Sequence, residues 1–450
     1  MLLFQKLYSR IYKYSKMLFL LQIIVIVLTF ISLDHEAIAE LPYTSVVLPV
    51  HKHTDASKPL YSAEVMTSFI DWQYMRENFL IDIDATIIWH DCSLLWNKNQ
   101  GDCPTNSCNY PVTCEEYPCT DIRTSSSYKN RYCPPKTNWS TLPVWGLCTC
   151  PVNVVNPVTV SCVQVSLNYD NFRFNESNGR NVYTGWDDVY PHAACAPSSS
   201  LQSFPANVTG VLALSSSPYA LAGYLHKPLK RVLGLCLPST LSTPGVLFYG
   251  STPYYLLPHS DVDVRSYLSY TPLIKHQNSF GYFIGVNSIV IKKRAVNIPT
   301  NATTKISTTE PYTILRTDIY NPVVRRFLKV TKRIPPAKPF PPFGVCFSTS
   351  TKGTQVGLRV PDIEFSFPDG KQWTTSTANS IKQVTKDVAC LALVDGGAAS
   401  EPAIIIGTFQ MEDNFLVLDL EKSAFGFSSS LLRKKTSCSN FNLTLVNSYV

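Results

Sequence analysis

Residues 79–92 read Phe79-Leu-Ile-Asp82-Ile-Asp-Ala-Thr-Ile-Ile-Trp89-His-Asp-Cys92. An apolar run meets a carboxylate at Asp82, breaks at Asp84-Ala85, and resumes as Thr86-Ile-Ile-Trp89. In the second half Thr304-Lys-Ile-Ser307 also ends an apolar strand in a small polar residue. Each stretch is followed by a second motif, Gly210-Val-Leu-Ala-Leu in the first half and Ile404-Ile-Ile-Gly407 in the second. Apolar residues abutting glycine let another segment pass close to the backbone. The doubled pattern predicts two similar β lobes, with the boundary near residues 255–270.

At 450 residues the chain exceeds what one hydrophobic core usually organises. It is 45% hydrophobic and only 16% charged, which predicts a folded protein. Aromatic content of 12%, with 32 prolines against 19 glycines, favours strands and rigid turns over long helices. A net charge of +7 is too mild to imply nucleic-acid binding. Fourteen cysteines without zinc-type spacing point to disulfides and an oxidising compartment.

Lys6, Arg10, Lys13 and Lys16 precede the apolar run Met17–Leu33, and Ala37-Ile38-Ala39 offers a cleavage site. Those are the three parts of a signal peptide, the other reading being an uncleaved anchor. Loss of residues 1–39 removes four basic and two acidic groups, leaving 35 minus 30, or +5. A secreted, extracellular protein with no membrane association after cleavage is expected. Five acceptor triplets, at Asn138, Asn175, Asn207, Asn301 and Asn442, fit that address and would mark surface loops.

Residues 92–150 hold eight of the 14 cysteines, in a stretch with little apolar material of its own. Strands are expected at Val208–Leu214, Gly245–Tyr249, Gly281–Ile291 and Gln355–Phe367. Within Thr317–Thr331, Ile319, Tyr320, Val323, Val324, Phe327 and Leu328 recur at helical spacing. Arg325, Arg326 and Lys329 fill the other face of that helix, which reads as solvated.

The stretch 79–92 resembles the first active-site strand of pepsin-like aspartic proteases, and its Trp-x-x-Cys continuation resembles a plant subgroup. Thr304–Leu315 resembles the second active-site strand. Ile404–Asn414, Leu416-Val-Leu-Asp419 and Phe425-Gly-Phe427 resemble the family's C-terminal strands. Pro342-Phe-Gly-Val-Cys346 and Cys390-Leu-Ala-Leu-Val-Asp395-Gly-Gly narrow the resemblance to basic 7S globulins, extracellular dermal glycoprotein and wheat-type xylanase inhibitors. It covers roughly residues 43–444 in collinear order. The implied fold is all-β and bilobal with a central cleft. Residues 40–262 would form an N-terminal lobe with a Cys-rich insertion, and 263–450 the C-terminal lobe.

Proteolysis in that family needs two facing carboxylates that share a proton, each in an Asp-Thr/Ser-Gly turn. Here the first turn reads Asp82-Ile-Asp84, and the second reads Ser307-Thr-Thr309. A serine has no proton equilibrium near neutral pH, so the resemblance implies an inactive dyad at Asp82 and Ser307. Asp84 lies two residues from Asp82 on one chain and Asp395 in a Val-Asp-Gly-Gly turn, so neither offers a rescue. No flap tyrosine with glycine neighbours is found; the stretch Leu167–Val182 reads differently. His51-Lys-His53 reads as exposed rather than metal-ligating, and Glu115-Glu116 cannot flank a sugar from opposite faces. No Gly-x-Ser-x-Gly elbow or phosphate-cradling loop occurs, and neither cofactor nor metal is implied.

In glycosidase-inhibiting relatives a basic or imidazole side chain near the last cysteine enters the target's active site. The matching loop here is Arg433-Lys434-Lys435 before Cys438, with Lys434 where the wheat-type inhibitors carry histidine. The resemblance therefore implies a binder of secreted microbial glycoside hydrolases, in the apoplast or cell wall. Rival readings are a storage or small-peptide-binding basic globulin, and an atypical aspartic endopeptidase. The same resemblance implies disulfides Cys346–Cys390 and Cys236–Cys438 within a fully paired set.

Overall fold

A computed structural model of the chain describes residue 22 and residues 44–68, 74–91, 111–129, 132–133, 143–144, 147–225, 229–349 and 358–446. Residues 1–43 and 44–450 form separate units, the second holding every element named below. Cys92, Cys103, Cys108, Asn138 and all but one residue of the expected signal segment lie outside the described residues.

In the first half β1 (Ser45–His53), β2 (Leu60–Ser68) and β3 (Tyr74–Asp82) make an antiparallel ladder, with Ala63 opposite both Val50 and Phe79. The short β4 (Trp89–Asp91) follows, then α1 (Tyr117–Thr124) in the Cys-rich region. A hairpin of β5 (Cys150–Val155) and β6 (Cys162–Tyr169) comes next. β7 (Val208–Ala213) then runs between β3 and β4, parallel to the first and antiparallel to the second. Phe79, Leu80 and Ile81 are all buried because β3 is covered on both faces, which explains an apolar run without alternation. At Gly210 a Cβ would sit 2.5 Å from that of His90, so glycine is required where β7 crosses β4.

Strands β8 (Val232–Cys236), β9 (Gly245–Gly250), β10 (Ser269–Ile274) and β11 (Phe283–Ile284) lead into the second half. There β12 (Thr304–Ile306), β13 (Thr313–Leu315), helix α2 (Thr317–Thr331) and β14 (Ile404–Ile406) repeat the earlier arrangement. β14 runs parallel to β12 and antiparallel to β13, as β7 does between β3 and β4. Gly407 is the counterpart of Gly210, since a Cβ there would lie 2.5 Å from the Tyr312 carbonyl carbon.

The final strands β15 (Phe415–Asp419) and β16 (Ala424–Phe427) close a sheet in the order β1-β9-β8-β15-β16-β10. Its core includes Val47, Val232, Phe248, Tyr254, Phe415 and Phe441, joining early and late parts of the chain. Burying one such phenylalanine contributes about 1.5–3 kcal/mol. Disulfides link Cys114–Cys148, Cys119–Cys150, Cys133–Cys162, Cys236–Cys438 and Cys346–Cys390. Cys195 is also disulfide-bonded, and none of the described cysteines is free.

Helix α2 occupies the expected residues and buries Ile319, Tyr320, Val323 and Phe327, whereas Leu328 is 42% exposed. Its basic face is not wholly solvated: Arg326 donates to the Ile291 and Lys292 carbonyls. The expected strand Gly281–Ile291 is two strands, Phe283–Ile284 and Ser288–Ile291, separated at Gly285. Of the expected strand Gln355–Phe367, Ile363–Ser366 is observed, while residues 355–357 lie outside the described chain.

Candidate functional site

β3 brings Asp82, and the turn after β12 brings Ser307, to one cavity of about 530 Å³. Asp82 is only 8% exposed, and its Oδ1 accepts from the Asp84 amide at 2.8 Å. Ser307 Oγ accepts from the Thr309 and Glu310 amides at 3.3 Å each. Both turns thus share one device, in which the leading side chain receives the amide two residues on. Thr308 ties them together: its hydroxyl donates to the Ile81 carbonyl at 2.8 Å and accepts from the Ile83 amide at 3.2 Å.

A cation enters the same cavity. Lys305 Nζ lies 2.8 Å from Asp84 Oδ2, with both side chains mostly buried. Burial, then the neighbouring Asp84 charge, pushes the Asp82 carboxyl up to about 6, against the Asp84 amide and Lys305. Burial also raises Asp84, and Lys305 opposes it. Alternation along β12 sets Lys305 and Ser307 on one face, so a period-two reading would have found the lysine.

The cavity is bordered by the end of β5 and the tip of the β5–β6 hairpin, and none of the stretch Leu167–Val182 lines it. The hairpin tip turns at Asn156, whose Oδ1 accepts from the Val158 and Thr159 amides. Asn156, Pro157 and Val160 line the cavity. Residues 83–149, the Cys-rich stretch among them, separate this hairpin from β3, which hid it from motif reading.

The Arg433–Lys435 segment lies elsewhere, for none of its residues lines the cavity. Leu431–Lys434 form a 3-10 turn closed by Lys435 at φ +58°. Arg433 makes a two-pronged bond to Asp362 at 2.9 and 2.8 Å. Lys434 Nζ sits 4.9 Å from the centre of the Tyr267 ring, and its carbonyl lies 3.0 Å from His259 Nε2. Lys435 is exposed and has no ion pair among the described residues.

Among the acceptor triplets Asn207, Asn301 and Asn442 are exposed. Asn175 instead sits inside strand Phe172–Ser177, paired with strands on both sides and with its amide oxygen buried. The surface-loop expectation fails there, because the ladder takes up the backbone on both edges. His51 and His53 are half-buried rather than exposed, and His53 Nε2 meets Ser62 Oγ at 2.7 Å. Glu116 is engaged by the Thr113 amide and the Tyr169 hydroxyl. Asp395 accepts from the Thr317 hydroxyl at 2.6 Å, at the start of α2.

Residues 73–251 match the family profile described as xylanase inhibitor N-terminal, and residues 281–429 match xylanase inhibitor C-terminal. Chitinase CLP of Oryza sativa subsp. japonica is 36% identical over 66% of this chain and 73% of its own. Gamma conglutin 1 of Prunus dulcis is 34% identical over 81% of this chain and 83% of its own. A crystal structure of edgp superposes with a TM-score of 0.74 at 30% identity, covering 90% of this chain and 99% of that one.

Proposed function

The chain belongs to the xylanase-inhibitor-like family of pepsin-fold proteins, whose relatives include seed globulins, and from that premise we propose that it is a secreted protein without peptidase activity that blocks microbial glycoside hydrolases. Two carboxylates must face one another to share a proton and activate water. At this cavity Asp82 shares its turn with Asp84, while the equivalent turn of the other half presents the hydroxyl of Ser307. A hydroxyl there cannot complete the dyad.

The observation that carries the inhibitory reading is the pair of exposed cations Lys434 and Lys435 on one turn. The turn is held by the Leu431 amide on the Asp413 carbonyl and the Thr436 hydroxyl on the Leu257 carbonyl, with Cys438 beyond it in its disulfide to Cys236. Arg433 is taken up by Asp362, so Lys434 and Lys435 are the cations offered to a partner. A glycosidase cleft contains two carboxylates, and an intruding ammonium pairs with both while excluding the glycan. Affinity falls in acid as the target's carboxylates protonate and lose their attraction for the loop. Exposed Asn207, Asn301 and Asn442 are the positions where glycans suit a secreted chain.

The test is a pull-down against secreted fungal and bacterial endoglucanases and xylanases. Capture that disappears in Lys434→Glu/Lys435→Glu supports the reading. Similarity to gamma conglutin favours a second one, a basic globulin that stores protein or holds a small peptide. Under it, no hydrolase is captured. Acid-pH peptide cleavage that is lost in Asp82→Asn would instead identify an atypical endopeptidase.

A further inference from the structure

The cavity beside Asp82 holds features that a loop-borne inhibitor does not use. Asp84 Oδ1 and Asn153 Oδ1 are buried oxygen atoms without a hydrogen-bond partner, and both residues line the cavity. Both atoms are acceptors, and a buried acceptor left unmade costs roughly 1–3 kcal/mol. Asp82 is more than nine-tenths buried and has no ionic partner among the described residues, because Lys305 is bound to Asp84.

The remaining charged groups do not supply what is missing. Glu310 lies 3.9 Å from Lys58, and Glu401 lies 2.6 Å from Arg316. Lys129 and His276 are on the exposed rim. Asp82 is therefore the lining carboxylate left without a salt bridge among the described residues. Val160, 39% exposed, stands at the opening with the rings of Tyr128 and Tyr132, an apolar stretch beside the polar Lys129 and His276. Val160 holds φ +56°, a conformation that costs a β-branched residue on the order of 1–3 kcal/mol. Its amide donates to the Asn156 carbonyl at 2.8 Å, which keeps it in place.

We propose that this cavity binds a primary amine or guanidinium carried on a short aliphatic stem, its head on Asp82 and its stem against Val160, Tyr128 and Tyr132. A charge-assisted bond to a mostly buried carboxylate is the strong kind, and the stem gains from leaving water. Two sources carry this chemistry, a free alkylamine and the lysine or arginine side chain of an extended peptide. None of the Arg433–Lys435 loop lines the cavity, so this proposal and the inhibitor reading stand or fall separately.

Calorimetric titration of the full chain with n-butylamine, acetyl-Gly-Lys-Gly-amide and its norleucine counterpart tests the site. The lysine peptide or the amine should bind, with the norleucine peptide about thirtyfold weaker or worse. Asp82→Asn should lose binding by a similar factor, with its melting curve confirming a folded protein. Lys305→Met should strengthen binding, because it frees Asp84, and it decides the matter if Asp82→Asn does not fold. Affinity should also rise as pH passes upward through about 6, where Asp82 ionises. Binding by the amine assigns the source to small molecules and binding by the peptide alone assigns it to polypeptides; either upholds the site. Equal binding of the norleucine peptide, an unchanged folded Asp82→Asn, weaker binding by Lys305→Met, or no binding at all overturns it.

Discussion

Lys305 Nζ lies 2.8 Å from Asp84 Oδ2, so a salt bridge spans the cavity from the strand before Ser307 to the turn after Asp82. A cation there stabilises the negative charge that two carboxylates on one turn would otherwise repel.

Thr308 is the hinge pin of the two turns. Thr308→Ala removes the acceptor of the Ile83 amide and the donor to Ile81, both buried. Stability should fall by about 1–3 kcal/mol. The denaturant midpoint reads this, while Thr308→Ser should recover most of the loss.

His90 is fully buried, with Nε2 2.6 Å from Asp170 and Glu77 3.9 Å from its other ring nitrogen. Burial works against charging His90, but Asp170, Glu77 and Asp91 outweigh it and raise its pKa. Burial raises Glu77 too, against His90 and the Thr67 hydroxyl. Groups raised on folding stabilise below their ordinary pKa values and cease to do so as pH climbs through the folded ones. Melting temperature should therefore decline from about pH 6 upward. His90→Gln should flatten that decline and cost about 3–5 kcal/mol in mild acid, where it leaves buried carboxylates unpaired.

Peptidase activity should be absent at every pH. Incubation with denatured protein substrates from about pH 3 to pH 7 should give no cleavage above a protein-free blank. Ser307→Asp alone should not create it, because Lys305 remains on Asp84 and the first turn lacks its hydroxyl and glycine. Cleavage by wild type that vanishes in Asp82→Asn would contradict the inactive reading.

Cys236–Cys438 joins positions 202 apart and anchors the C-terminal loop to the central sheet. Cys236→Ala/Cys438→Ala should cost about 2–5 kcal/mol, by the loop-closure argument, whose entropic origin is disputed. Thiol titration of denatured, unreduced wild type should find no reactive cysteine. Two or more would contradict complete pairing.

The fold was legible because its determinants are local. Phe79–Asp82 and Thr304–Ser307 are short strands whose apolar runs need both faces covered, and Gly210 and Gly407 mark the crossings that cover them. Helix α2 was legible from the spacing of Ile319, Tyr320, Val323 and Phe327. What stayed hidden depends on distant partners. Arg433 reads as one of three free cations until Asp362, 71 positions away, is placed beside it. Asn175 reads as a loop residue until two neighbouring strands close on it. Lys305 had a signal in strand alternation, but its partner Asp84 is 221 positions earlier, by 305 minus 84.

Steady-state inhibition of purified fungal and bacterial xyloglucan endoglucanases and xylanases by the intact protein tests the inhibitory role most directly. Wild type should inhibit at least one of them, and Lys434→Ala/Lys435→Ala should raise the inhibition constant by about a hundredfold, mainly through faster dissociation. Inhibition by the double variant equal to that of wild type, or no inhibition of any enzyme by wild type, would contradict it.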